Sequence, residues 1–175
     1  PLPAGVPDDF FLFVGALEPG KNLALLRAIY ASASAPLPPL VIAGARWEGV
    51  PHEGPPPAGW HFLGHVADPE LWALYDRARA MLFPSRYEGF GLPVLEAMGR
   101  GCPVLCGPLP SLREIGGDAI ATAALTVDEF GVAMRRLTID EAWRAQLANA
   151  GRKRATDFSW TRCARETLAV YRSLS

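Results

Sequence analysis

Four short runs of uninterrupted apolar residues constrain this chain more than any other feature: Phe10 to Val14 (FFLFV), Leu40 to Ala43 (LVIA), Ala80 to Phe83 (AMLF) and Pro103 to Cys106 (PVLC). A strand with one wet face alternates apolar and polar residues, whereas a strand covered on both faces reads as a continuous apolar run. His61 to Leu63 and Ala119 to Ala121 are weaker candidates of the same kind. Helical periodicity fills most of the gaps. Leu23, Leu26, Ile29 and Tyr30 share one face of a segment from Asn22 to Tyr30, and Leu71, Leu74, Tyr75 and Ala78 follow a helix start at Asp68-Pro69-Glu70, read as N-cap, first-turn proline and first-turn acid.

Strands alternating with helices predict an α/β fold, a doubly wound, Rossmann-like parallel sheet of about six strands. From Asp128 onward the pattern is helical only. Two amphipathic helices, over 140–153 and 160–174, extend the domain at its C-terminal end, the second capped by Ser159. The 175 residues suit a single domain, with the proline-rich 1–9 as a linker. The stretch Gly49 to Gly59 reads as a stiff surface loop.

Composition narrows the partners. Half the residues are apolar and a fifth are charged, so the chain carries enough apolar mass to fold. A net charge of −1 leaves no basic footprint for nucleic acid. No apolar run approaches the roughly 20 residues that cross a bilayer. Cys102, Cys106 and Cys163 cannot all pair, and free thiols fit a reducing, cytoplasmic setting. No metal ligands stand near Cys102 and Cys106, and no DxD sequence is present, so no metal site is predicted.

The first loop, Gly15-Ala-Leu-Glu-Pro-Gly20-Lys21-Asn22, matches GxxxxGK between a strand and a helix, the context of a P-loop. The next position must carry a hydroxyl for magnesium and here holds Asn22, and no later strand ends in the required Asp. An NTPase is therefore a distant alternative. The loop's physics survives: Gly15 and Gly20 let a ligand approach the backbone, and Lys21, one of only two lysines among 17 basic residues, stands beside a helix N-terminus that favours anions. No GxGxxG follows a strand, so a nicotinamide site is weaker still.

The most informative segment runs from Pro84 to Gly101, PSRYEGFGLPVLEAMGRG. A helix starting near Pro93 leaves the amides of Gly89, Phe90, Gly91 and Leu92 without intrahelical partners, at the carboxyl edge of the sheet where open α/β folds bind ligands. Glu88 precedes this helix and Glu96 is expected in its first turn, an E-x7-E spacing that brings two carboxylates toward one site. Carboxylates accept hydrogen bonds from sugar hydroxyls. Alone, Glu96 would be a charge at a helix N-terminus and Glu88 a solvated loop acid.

The chain resembles the C-terminal, nucleotide-sugar-binding domain of family-4 retaining glycosyltransferases, which have the two-domain GT-B fold. The resemblance rests on FFLFVGALEPGKNLALL, LVIAG, HFLGHVADPELWALYDRARAMLFPSRYEGFGLPVLEAMGRGCPVLCG, SLREIGGDA and RATDFSWTRCARETLAVYR. It implies that Lys21 neutralises the leaving diphosphate, Glu96 holds ribose hydroxyls and Glu88 the donor sugar. It also implies that Gly89 to Leu92 cradle sugar and phosphate, and that the base lies near Gly64, His65 and Val66, with Gly15, Ser85 and Arg86 on the same edge. Lys21 and Glu88 would be the catalytic pair. The donor is a substrate, and no cofactor or metal is implied.

One departure stands out. The family places an Arg beside the Lys, at Ala16 or Gly20 of this chain, and neither is basic; Arg86 and Arg46 are the candidate substitutes. That departure keeps open a non-catalytic nucleotide-sugar-binding module. The loop form GALEPGKN is most similar to mannosyltransferase members using GDP-mannose, which implies hexose transfer to a glycan or lipid-linked acceptor. The acceptor-binding N-terminal domain is absent, so this chain alone is expected to be inactive. The resemblance leaves open peripheral association of a full-length enzyme with the inner face of the membrane. Ser111-Leu-Arg-Glu114 reads as a capping box that exits at Gly116-Gly117. The tryptophans read as packing residues, with Trp60 the one candidate sugar platform, and His52 and His61 as a loop and a strand residue.

Overall fold

Each apolar run becomes a strand. A computed structural model describes residues 2–46, 49 and 54–174, and the sequence-predicted roles of Trp47 and His52 lie outside the described residues. The strands are β1 (Phe11–Val14), β2 (Leu40–Ala43), β3 (Trp60–Gly64), β4 (Ala80–Phe83), β5 (Val104–Cys106) and β6 (Ala121–Thr122). They pair in parallel throughout, in the order β3-β2-β1-β4-β5-β6. The helices are α1 (Leu23–Ser32), α2 (Asp68–Arg77), α3 (Leu92–Arg100), α4 (Pro110–Gly116), α5 (Val127–Ile139), α6 (Glu141–Ala155) and α7 (Trp160–Ser173). This is the predicted doubly wound, Rossmann-like sheet.

The strands' period of two splits the core into two layers. Leu12, Val14, Val41, Met81 and Phe83 face α2, α3 and α4, where Leu74, Val94, Ala97, Met98, Leu112 and Ile115 meet them. Phe11, Phe13, Leu40, Ile42 and Leu82 face the other way, onto Leu25, Leu26 and Ile29 of α1 and Phe130, Met134 and Leu137 of α5. All four predicted runs are buried on both sides, which is why they carry no polar residue.

Residues 2–9 contain no helix or strand, yet Leu2 and Val6 pack on the core. Asp9 accepts from Arg79 Nε at 2.7 Å and Nη2 at 2.5 Å, while Arg79 Nη1 donates to the Thr138 carbonyl. The Arg79 hydrogen bond holds the Asp9 carboxyl below the usual aspartate value.

Two caps differ from expectation. Asp68 is the first residue of α2, not its cap; Ala67 is the cap, and its amide donates to the Glu70 carboxylate at 3.1 Å. Helix α4 has no side-chain cap, because Pro110 already opens it and Leu109 is the capping residue. Its exit is as expected, with Gly117 at the C-cap.

The strand order reverses between β1 and β4, since the chain leaves β1 toward β2 and leaves β4 toward β5. Loops diverging in this way open a crevice at the carboxyl ends of the two strands.

Candidate functional site

The loop after β1 forms one wall of that crevice. The Gly15 amide donates to Ala43 O at 3.0 Å, and the Gly44 amide to Gly64 O at 2.8 Å, so the loops after β1, β2 and β3 are tied edge to edge. The approach is close: a Cβ on Gly44 (φ +152°) would stand 1.9 Å from the Gly15 carbonyl oxygen. Glu18 then caps a single 3-10 turn over Pro19–Lys21, its carboxylate accepting from the Gly20 amide at 3.1 Å. Asn22 (φ 57°) turns the chain into α1.

The loop after β4 forms the other wall. The Arg86 amide donates to Gly20 O at 2.9 Å, and Arg86 Nη2 donates to the buried Asn22 Oδ1 at 3.2 Å. Across this seam Lys21 Nζ meets Glu88 Oε1 at 2.5 Å, with the two side chains only 19% and 11% exposed. The Lys21 ammonium also lies 5.3 Å from the centre of the Phe83 ring. The Glu88 carbonyl accepts from Ser111 Oγ at 2.9 Å, so the serine expected to cap α4 instead anchors the acidic loop.

Beyond Glu88 the backbone is open. None of the amides of Gly89, Phe90, Gly91 and Leu92 donates to another described residue. Gly91 (φ +100°) precedes α3, and a Cβ there would come within 2.5 Å of Leu112 Cδ2, so the turn requires glycine in conformation and in space. Phe90 and Leu92 are exposed.

Glu96 stands one turn deeper than predicted, because α3 starts at Leu92 and the first turn holds no acid. Its carboxylate accepts from the hydroxyl of the buried Tyr75 on α2 at 3.1 Å. Burial is the main cause raising the Glu96 carboxyl above its usual value; the Tyr75 bond opposes this and the charge of Asp68 adds to it.

The fold thus brings together Gly15, Lys21, Arg86, Glu88 and the Gly89–Leu92 backbone at one sheet edge. Glu96 lies beneath them with a different partner. Gly64 ends β3 at the same edge, with His65 exposed beyond it and Val66 packed on the layer that also holds Tyr75. Ser85 does not line the edge. It is fully buried, with no hydrogen-bond partner for its hydroxyl among the described residues. Trp60 is no platform either: it is buried, edge-on to Tyr30 at 5.6 Å and under the Arg27 guanidinium. Trp160 is 77% exposed rather than packed.

Four residues of the site escaped sequence reading: Asn22, Tyr75, Tyr87 and Ser111. Each looked ordinary in sequence, as a missing hydroxyl, a stripe residue, a loop aromatic and a cap. Tyr87 matters because a Cβ on Gly20 would stand 2.9 Å from its hydroxyl and from Glu18 Oε1. A side chain at position 20 would have to displace the ends of the Glu18 and Tyr87 side chains. The Arg86 backbone lies beside Gly20, its guanidinium has no carboxylate within 4 Å among the described residues, and a cleft of about 140 Å³ is lined by Lys21, Arg27, Arg46 and Arg86 with Asn22 and Phe62.

A cluster of cations and a run of open amides at the same sheet edge suit an anion that also carries hydroxyls. The model of the family Glycosyl transferases group 1 matches residues 3–154. The chain is 36% identical over 181 residues to O-antigen chain mannosyltransferase B of Escherichia coli, covering 94% of this chain and 46% of that protein. Its fold is similar to that of sucrose-phosphate synthase from Thermosynechococcus elongatus, with a TM-score of 0.79 and 24% identity over 99% of this chain and 46% of that one. It is similar also to Anabaena HepE in complex with UDP and glucose, with a TM-score of 0.76 and 18% identity over 96% and 49%. The chain therefore spans less than half the length of these relatives. With its sheet, switch-point crevice and Lys21–Glu88 pair all inside the matched residues, the chain belongs to the Glycosyl transferases group 1 family.

Proposed function

We propose that this chain is the donor-binding, C-terminal half of a GT-B enzyme, a retaining family-4 glycosyltransferase that moves a hexose from a nucleoside-diphosphate sugar to a glycan or lipid-linked acceptor. The observation that carries the reading is the Lys21–Glu88 pair at the β1/β4 switch point, a cation and a hydroxyl acceptor side by side at the mouth of the crevice. In this reading Lys21 and the amides of Gly89 to Leu92 hold the diphosphate, with Arg86 as the second cation in place of Ala16 and Gly20. Glu88 accepts from sugar hydroxyls, Glu96 from the ribose, and the base lies toward Gly64, His65 and Val66.

The chemistry is then largely electrostatic. As the bond between the anomeric carbon and the diphosphate oxygen breaks, the oxygen leaves with the electron pair. Lys21, Arg86 and the open amides meet that growing negative charge with fixed positive ends, and the acceptor hydroxyl oxygen forms the new bond to the anomeric carbon as its proton passes to the leaving diphosphate oxygen. These groups supply the charge without a metal step, so donor binding should be the same with a chelator present. The likeness to a mannosyltransferase supports GDP-mannose as the donor, and the UDP and glucose of the HepE complex support UDP-glucose as the competing choice.

A calorimetric screen of GDP-mannose, UDP-glucose, UDP-N-acetylglucosamine and ADP-glucose against the chain tests this. One of them should bind, and Lys21→Ala should weaken the nucleoside diphosphate by about tenfold or more while sparing the uncharged nucleoside, a loss that shrinks with salt because a partly exposed charge is screened within about 10 Å at 0.1 M. Equal losses for nucleoside and diphosphate would remove Lys21 from the phosphate site.

A further inference from the structure

We infer that the Lys21–Glu88 ion pair is an exchangeable contact that makes the site favour an intact nucleotide sugar over the bare nucleoside diphosphate; the inference rests on the donor-binding reading above. Without ligand, the ammonium is already committed: Nζ lies 2.5 Å from Glu88 Oε1, and both side chains are largely withdrawn from water. A diphosphate that takes Lys21 must take it from Glu88.

Glu88 is then left in a poor position. Its side chain is 11% exposed, so water replaces the lost ammonium incompletely, and a carboxylate without partners is costly to keep there. The loop gives it little means of withdrawal. The Glu88 carbonyl is held by Ser111 Oγ at 2.9 Å, and Gly91 is wedged against Leu112 and Ile115 of α4. The Arg86 amide is tied to Gly20 O, which keeps the two loops in register.

Ligands differ in what they return to the freed carboxylate. A nucleotide sugar brings hexose hydroxyls, which donate to it. A bare nucleoside diphosphate brings none, and adds its own negative charge to the same corner. Breaking the pair is therefore compensated for the substrate and uncompensated for the product. Glu88 acts as a specificity-determining residue in both directions: it accepts from the sugar when the sugar is present, and it reclaims Lys21 when the sugar has gone. After transfer, re-formation of the pair helps to expel the diphosphate.

The test measures affinities of the chain for GDP and GDP-mannose, and in parallel for UDP and UDP-glucose, by calorimetry. Glu88→Gln removes the charge that holds Lys21 and keeps the shape. In the pair that binds, Glu88→Gln should tighten the nucleoside diphosphate by about tenfold and should not tighten the nucleotide sugar, so that the preference for the sugar form falls. In a Lys21→Ala background the same change should give a clearly smaller gain in diphosphate affinity, because only the repulsion between carboxylate and phosphate is then left to relieve. Diphosphate affinity that is unchanged or weaker in Glu88→Gln overturns the exchange. So does an equal gain with and without Lys21, which would mark plain repulsion between carboxylate and phosphate. Glu88→Ala carries the same expectations should the Gln variant fail to fold. If the unaltered chain binds none of the four nucleotide sugars of the screen above and none of their nucleoside diphosphates, the donor-binding reading itself fails, a result distinct from all of these; if it binds only ADP-glucose, the same comparison is made with ADP and ADP-glucose.

Discussion

Glu96 is held half out of water by α3 while its carboxylate accepts from the Tyr75 hydroxyl, and its carboxyl titrates above the ordinary glutamate value, chiefly through burial. An ionised carboxylate accepts two hydroxyls of a diol, whereas the protonated form gives up part of that capacity. If Glu96 holds the ribose, affinity is present above its raised pKa and lost as pH falls through it. Nucleoside binding should therefore weaken on acidification with a midpoint above the usual glutamate range, and Glu96→Gln should bind about tenfold more weakly at neutral pH, with no such midpoint. An NMR titration with the nucleoside reads this cleanly, because a diphosphate titrates near pH 6 on its own account. A pH-independent affinity in the unaltered chain would leave Glu96 as the partner of Tyr75 alone. The sequence spacing singles out Glu88 and Glu96 but not their partners: the fold gives Glu88 to Lys21, 67 positions away, and Glu96 to Tyr75. Such distant partners have no local signal.

At the scale of elements, the apolar runs were fully legible because a covered parallel strand leaves no position for a polar residue. Helix ends were less so. Asp68 and Ser111 have the right chemistry for caps, but each helix has already begun when the chain reaches them, α2 at Asp68 itself and α4 at Pro110, so the caps fall to Ala67 and Leu109. The C-terminal end of α4 shows a device that no pattern announces. Arg154 of α6 donates through Nε to Ile115 O at 2.8 Å and through Nη2 to Glu114 O at 2.7 Å, placing a cation on the last carbonyls of α4. A cation there complements the helix dipole as well as satisfying two acceptors. Since α4 also carries Ser111 and the Leu112 wall behind Gly91, Arg154 supports the acidic loop at one remove. Arg154→Ala should cost about 1–3 kcal/mol of stability. In a domain of this size that is a fall in melting temperature of about 2–4 °C per kcal/mol, measurable by calorimetry. Arg154→Lys should recover part of it through charge alone. No change in melting temperature would mean that water serves those carbonyls equally well.

Over the whole molecule, the domain and its last helix are unequal in their claim on the core. Sequence periodicity correctly predicts an amphipathic helix capped by Ser159, whose Oγ accepts from the Arg162 amide at 3.1 Å. Its apolar side, with Trp160, Leu168 and Tyr171, nevertheless stays exposed, and α7 buries no residue. Periodicity reveals that a face is apolar, and it does not reveal what covers it. The helix holds itself by its cap and by the Arg162–Glu166 pair at i,i+4, contacts worth a few tenths of a kcal/mol to about 1 kcal/mol each. The boundary of the folded unit lies just before it. Phe158 packs on the core layer of α3, edge-on to Phe90 at 6.3 Å and under the Arg154 guanidinium at 4.9 Å. A chain ending at Phe158 should therefore melt within about 1 kcal/mol of the full chain, since little apolar area leaves water when α7 forms. It should also bind the nucleoside diphosphate with unchanged affinity, because α7 buries no residue of its own and none of the residues assigned to the site belongs to it. Phe158→Ala in the full chain removes far fewer atoms and should cost more, by loss of a large packed ring. Paired thermal melts order the two changes, and a truncated chain less stable than Phe158→Ala would show that α7 contributes to this domain's core after all.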